Sequence, residues 1–235
     1  MQLFYQQHIN KNDNEFTFDK TESKHIIRVL RKKENDILYL TNGTGYLFTS
    51  VINNANDKRC TVLITKATLI PNPLNYNLHI VIAPTKNNQR LEWFLEKATE
   101  IGISEITPII CDNSERKIIK NERLEKVIIS AMKQSNRFYL PKLNQSIKFV
   151  DFIKNKIDGL KFIAHCEETE KQSLKNKLIK NENTTILIGP EGDFSLSEIT
   201  LALANNYTPV SLGKSRLRTE TAGIVAAHSV AFKNE

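Results

Sequence analysis

After residue 77 the chain alternates short apolar runs with stretches of helical period, and this alternation restricts the fold more than any other feature. The apolar runs cover residues 78–83, 106–110, 160–164, 185–188 and 209–212; the helical stretches cover 90–101, 121–134, a segment from 196, and 221–232. Within 90–101, Leu91, Phe94, Leu95, Ala98 and Ile101 share one face and Gly102 supplies a stop. Within 121–134 the inward set is Leu124, Val127, Ile128, Ala131 and Met132. Ser195 with Glu198 forms a capping box ahead of residue 196. Strands separated by helices pair in parallel, and runs that are predominantly apolar without strict alternation belong to a sheet covered by helices. The expected class is α/β. Pro108 cannot donate to a ladder, and the strand 106–110 tolerates it if it sits near an edge. The polar stretch 171–183 predicts a surface helix and loop.

Residues before 70 follow a different rule. Residues 36–40 and 46–52 flank Asn42-Gly43, a short-range hairpin signal, and 59–67 alternates Cys60, Val62 and Ile64 with Thr61, Leu63 and Thr65. A helix over 23–31 is expected to turn His25, Ile26, Val29 and Leu30 inward and leave Lys24, Arg28, Arg31, Lys32 and Lys33 outside. The stretch 70–77, with two prolines and three asparagines, disfavours both helix and ladder. Two domains follow, a small β-barrel with a basic edge over residues 1–71 and an α/β domain over 72–235.

Charge and composition narrow the class. A net charge of +7 suits a polyanionic partner such as nucleic acid. No stretch approaches the roughly 20 apolar residues of a membrane helix, and the start of the chain lacks a basic segment followed by an apolar one, so a cytoplasmic protein with no membrane partner is expected. Cys60, Cys111 and Cys166 are odd in number and contain no Cys-x-x-Cys pair, which points to free thiols and to no metal site.

Ligands of a parallel sheet bind at the carboxyl ends of its strands. Three such ends carry polar loops: His165-Cys166-Glu167-Glu168, Gly189-Pro190-Glu191-Gly192-Asp193, and the loop through Leu212-Gly213-Lys214-Ser215-Arg216-Leu217-Arg218-Thr219-Glu220. The last leads into a helix whose start offers unpaired N–H groups. Neither Gly-x-Gly-x-x-Gly nor Gly-x-x-x-x-Gly-Lys-Ser/Thr is present, which argues against a Rossmann or P-loop enzyme. A fourth cluster joins Ser114-Glu115-Arg116-Lys117 to Gln134-Ser135-Asn136-Arg137-Phe138-Tyr139, where cations meet phosphates and amides or aromatics meet an unstacked base. Arg28, Arg31, Arg116, Gln134, Ser135 and Arg137 are the candidate RNA contacts.

These segments, together with residues 25–31 and 91–102, closely resemble the RsmE family, uridine-N3 methyltransferases of small-subunit 16S ribosomal RNA; the resemblance spans nearly the whole chain in order. The most specific text is Ile188-Gly189-Pro190-Glu191-Gly192 paired with Leu217-Arg218-Thr219-Glu220-Thr221-Ala222. The resemblance implies a PUA-like RNA-binding barrel, a SPOUT domain with a C-terminal trefoil knot, S-adenosylmethionine as cofactor, and a homodimer acting on the small ribosomal subunit. It assigns the cofactor to Ile188, Gly189, Pro190, Gly192, Leu212, Gly213, Leu217, Thr219 and Ala222. Asp193 stands where the family carries a second glycine, and aspartate is among the few residues that tolerate positive φ. Uracil N3 must lose a proton before it attacks a methyl group, and Glu191 or Glu220 is the candidate acceptor, with Arg218 placed to stabilise charge on the uracil oxygens. Two other readings compete: a SPOUT 2′-O-ribose methyltransferase acting on transfer RNA, and a non-catalytic RNA-binding assembly protein.

Overall fold

The computed structural model describes residues 1–168 and 170–235. They form two compact units, Met1–Pro73 with Met132–Leu140, and Leu74–Ala131 with Pro141–Glu235.

In the first unit, strands β1 (Leu3–Tyr5), β2 (Glu15–Thr17), β3 (Ile37–Thr41), β4 (Tyr46–Asn54) and β5 (Thr61–Leu69) make one sheet in the order β1-β3-β4-β5-β2. Only the β1–β3 pair is parallel. The hairpin between β3 and β4 turns at Gly43, φ 75°, where Asn42 Oδ1 accepts from the Thr44 amide at 3.0 Å. The edge strands carry interlocking rings, Phe4 against Phe18 at 5.7 Å and Phe18 against Phe16 at 5.2 Å. The sheet therefore curls around a core that includes Ile26, Leu40, Phe48 and Ile52.

The expected helix over 23–31 is corrected. Helix α1 (Lys20–Lys24) starts earlier, capped by the Asp19 carboxylate on the Glu22 amide at 2.8 Å, and continues as a π-helical turn, His25–Val29. A wider turn changes the angular step between residues, so Ile26 stays buried while Val29 swings out to 65% exposure instead of facing the core. Residues 138–140 add to the hairpin loop: the Gly45 amide donates to the Phe138 carbonyl and the Leu140 amide to the Gly43 carbonyl, both at 2.8 Å. A Cβ at Gly45, φ 96°, would collide with the Tyr139 ring, so this close approach requires glycine.

The second unit contains β6 (Leu78–Ile82), α2 (Asn88–Ile101), β7 (Glu105–Ile110), α3 (Asn121–Gln134) as far as Ala131, β8 (Lys142–Leu143), β9 (Ile147–Lys148), α4 (Phe149–Phe152), β10 (Leu160–Ala164), β11 (Gln172–Ser173), α5 (Leu174–Lys177), β12 (Thr184–Ile188), α6 (Leu196–Ala204), β13 (Thr208–Ser211) and α7 (Thr219–Asn234). The strand order is β11-β13-β10-β12-β6-β7-β8, with β9 also on β7, and every pair is parallel. All of β12 is buried, as a strand covered on both faces must be. One face packs Val81, Ile163 and Leu187 against Phe149, Phe194, Ile199 and Tyr207. On the other, Gly223 of α7 brings its backbone against Phe94 of α2 and Ile82 of β6.

One further expectation changes and one is made more specific. Pro108 sits near an edge of the sheet: the outer neighbour of β7 is the short β8 at Glu105 and Ile106 and the short β9 at Ile109 and Ile110. The proline occupies the handover between them, where no ladder bond on that side is required of it. Residues 171–183 are more than a surface helix and loop, because β11 pairs with β13 and Leu174 and Leu178 are buried. No helix among the described residues is long and apolar enough to cross a membrane, and the three cysteines are free.

Candidate active site

The register pairs Ala164 with both Ile188 and Val210, so β10, β12 and β13 end at one level. The three loops that leave there enclose two adjoining cavities. The first, about 280 Å³, is lined by Ile188, Gly189, Pro190 and Glu191 on one side and by Leu217, Arg218, Thr219 and Ala222 on the other. The second, about 380 Å³, adds Leu212 and Gly213. These sizes lie around the lower end of the range for small-molecule sites, about 300–1,000 Å³. Arg216 lines both.

Local bonds hold the walls in place. The Thr219 hydroxyl donates to the Gly189 carbonyl at 3.0 Å, joining the start of α7 to the end of β12. Asp193 adopts φ 63°, and its carboxylate accepts from the Cys166 amide at 2.6 Å and the Phe194 amide at 2.8 Å, so it ties the β10 loop to the β12 loop. Asn113, beyond β7, donates to the Gly192 and Asp193 carbonyls, both at 3.1 Å. A Cβ at Gly192 would press on that Asn113 side chain, which makes Gly192 a wall support; neither cavity is lined by it. Gly213, at φ 148°, has open space where a Cβ would project. The capping box forms in full, and the Glu198 carboxylate also accepts from the Asp112 amide. Its pKa rises because burial outweighs these bonds.

The two candidate carboxylates occupy different environments. Glu191 lines the first cavity; its Oε1 accepts from the Lys86 amide at 2.9 Å, and its Oε2 is buried with no hydrogen-bond partner. Glu220 is 6% exposed, outside both cavities, with Oε1 3.7 Å from Arg90 Nε of α2. Arg218 is exposed at the cavity wall, at the cap position of α7.

The candidate RNA contacts are distributed over both units. Arg116 donates to the carbonyls of Thr85 and Lys86, at 3.2 and 2.6 Å, so it braces the loop whose amide holds Glu191. Arg28 pairs with Asp57 at 2.7 Å and Arg31 is exposed at φ 54°, both in the first unit. Gln134, Ser135 and Arg137 lie on the segment that returns to that unit, where the Arg137 amide closes on the Met132 carbonyl at 3.0 Å. Sequence reasoning missed Asn113, Lys86 and Arg90 as supports, since each meets its partner across a long chain separation with no spacing signal. Among the described residues no group of histidines, cysteines and carboxylates could hold a metal ion.

Comparison with known proteins gives this geometry a family. Residues 72–231 match the family model of an RNA methyltransferase domain, and residues 18–65 that of an RNA methyltransferase PUA domain. Ribosomal RNA small subunit methyltransferase E of Buchnera aphidicola is 32% identical over 223 residues, which cover 91% of this chain and 86% of that protein. The solved probable rRNA-methyltransferase of Porphyromonas gingivalis superposes with a TM-score of 0.92 at 40% identity over 100% of this chain and 98% of its own. The Ribosomal RNA small subunit methyltransferase E of Neisseria gonorrhoeae, solved bound to S-adenosyl methionine, gives 0.82 at 26% identity, covering 97% and 95%. By the extent of these matches, the chain belongs to the family of ribosomal RNA small subunit methyltransferase E, a PUA domain joined to an RNA methyltransferase domain.

Proposed function

We propose that this chain methylates N3 of a specific uridine in 16S ribosomal RNA of the small subunit, using S-adenosylmethionine. The observation that carries the reading is the cavity at the ends of β10, β12 and β13, where Gly189-Pro190-Glu191 faces Leu217-Arg218-Thr219. The residues present fit the cofactor. Ile188, Leu217 and Ala222 supply apolar surface for a purine ring, and Gly213 leaves open space beside its backbone.

When bound, S-adenosylmethionine supplies a sulfonium methyl group as the electrophile. Glu191 takes the N3 proton on its unpaired Oε2, while the Lys86 amide holds the other oxygen and fixes the carboxylate. Arg218 donates to the uracil oxygen on which charge develops. The Thr219–Gly189 bond keeps the two walls at a constant separation, so the reactants meet in register. Glu220 also has an unpaired Oε2, but it lines neither cavity and its Oε1 faces Arg90, so it is assigned to the helix start instead of the proton. Arg28, Arg31, Arg116, Gln134, Ser135 and Arg137 are assigned to RNA.

The same reading includes a cytoplasmic homodimer, supported by exposed apolar side chains on α2, α6 and α7 (Trp93, Leu196, Leu203, Phe232). It also includes a trefoil knot in the C-terminal segment, as the resemblance to the family implies. The test is methyl transfer from labelled S-adenosylmethionine to small subunits lacking the modification, followed by nucleoside mass spectrometry. N3-methyluridine is expected; a 2′-O-methylated nucleoside, or no transfer, overturns the proposal.

A further inference from the structure

At the amino ends of the strands, opposite the ends that carry the active site, the same sheet borders a third cavity of about 450 Å³. The register sets Thr185 of β12 beside His79 of β6 and His79 beside Glu105 of β7, so the three side chains share one face of the sheet. Two residues further along, that face carries Val81 and Leu187 in the apolar core. A polar row on a covered face is costly unless something polar meets it. Thr185 is 3% exposed and lines the cavity, yet among the described residues its hydroxyl has no hydrogen-bond partner. His79 is in the same condition at one nitrogen. The Asn144 side chain donates to the Thr107 hydroxyl at 2.7 Å, and that hydroxyl's own proton has His79 Nε2 as its acceptor, also at 2.7 Å. Burial lowers the pKa of the ring, so it is neutral and its one proton sits on Nδ1, which has no partner among the described residues. Buried polar groups normally find partners, so these two mark a place where a ligand completes the structure.

The lining selects the ligand by its chemistry. Glu105, Asp158 and Lys156 give no positive excess, so a bare anion gains nothing there. The side-chain amides of Asn77, Asn144, Gln145, Asn155 and Asn183 supply donors and acceptors side by side instead. That pairing of donor with acceptor matches the edge of a nucleobase. We propose that this cavity is a second nucleobase subsite, remote from the methyl transfer, in which Thr185 and His79 bond an unpaired base whose edge the surrounding amides read. Lys156 at the rim and Lys148, next to the lining Ile147, are exposed, so a base carried on an RNA strand finds cations for its flanking phosphates. The subsite does not depend on which nucleotide is methylated.

Binding titrations with uridine, cytidine, adenosine and guanosine, and with short homopolymeric RNA strands, test the subsite. Excess S-adenosylhomocysteine is present throughout, so that adenosine does not report on the cofactor cavities. The wild-type protein is expected to prefer one base. Thr185→Val keeps the shape and removes the hydroxyl, and Asn155→Ala removes an exposed amide; each is expected to weaken the preferred ligand by about tenfold. Affinity for S-adenosylhomocysteine should not move in either variant. Because the hydroxyl is unpartnered in the protein alone, Thr185→Val should leave the melting temperature unchanged or raise it. Loss confined to the strands identifies the occupant as a base of RNA; loss shared by a free nucleoside identifies a soluble nucleoside. Absence of any base preference in the wild-type protein, full affinity in both variants, or a parallel loss of S-adenosylhomocysteine binding overturns the proposal.

Discussion

The hydroxyl of Thr219 is bonded to the carbonyl of Gly189, thirty residues earlier in the chain, so the helix that closes the site cannot move without the strand that opens it. The bond is buried, and an unsatisfied buried carbonyl costs about 1–3 kcal/mol. Thr219→Val should lower stability by about that amount in urea denaturation and weaken S-adenosylmethionine binding, while Thr219→Ser should restore both. Equal behaviour of the two variants would remove the hydrogen bond from the explanation.

Gly223 tests the contact beneath the site. A Cβ there would lie 2.6 Å from the Phe94 ring and 3.0 Å from Ile82. Gly223→Ala overpacks this contact and is expected to cost about 1–3 kcal/mol, read as a lower melting temperature. A neutral or stabilising effect would mean that α7 and α2 are less tightly packed than described.

The environments of Glu191 and Glu220 predict different kinetics. Glu191→Gln removes the proposed proton acceptor and should reduce kcat by about 10²–10⁴-fold with little change in stability. Glu220→Gln removes a partner of Arg90 and should show mainly in thermal denaturation. If Glu220→Gln loses kcat and Glu191→Gln does not, the roles are reversed.

Acid should destabilise the protein through histidines. Burial is the first cause that lowers the pKa of both His79 and His165 from the ordinary value of 6.5. The unfolded chain binds these protons near 6.5 and the folded chain only at lower pH, so stability falls as pH drops through 6.5 toward the folded values. Urea midpoints should therefore be lower at about pH 5.5 than at about pH 7.5, and His79→Gln with His165→Gln should flatten the profile. Unchanged curvature in that double variant would assign the effect to other groups.

RNA affinity should fall steeply with salt. Arg31→Ala removes an exposed cation and should reduce the slope of log K against log salt by about one. Arg116→Ala should act differently, by releasing the Thr85 and Lys86 carbonyls and loosening the loop that holds Glu191. Filter-binding titrations beside cofactor calorimetry separate the two effects.

The alternation of strands and helices was legible because each element is long enough to display its own period. The capping box at Ser195 and Glu198 was legible for the same reason, since both partners lie within one turn. Features set by distant partners were not. Nothing near Pro108 announces that its outer neighbour changes from β8 to β9, and nothing near Glu220 announces Arg90. The π-helical turn at His25–Val29 escaped because its apolar spacing still satisfies an ordinary helix. Within the site, the glycines and the loop through Arg218 were readable as strand-end chemistry. The buried ring of His165, whose nitrogens have no hydrogen-bond partner among the described residues, was not, because the lack of a partner is a property of the packed state.

The hairpin loop at Gly43 and Gly45 is bonded to the backbone of Phe138 and Leu140. A growing polypeptide therefore exposes β1 to β5 on the order of several seconds before residue 140 of 235 emerges to complete the unit they belong to. A gene fragment ending at residue 73 encodes a sheet with an unfinished loop, so the RNA-binding module should be cloned with the later segment supplied in trans or by a short linker. The chain's first structure is finished by its middle.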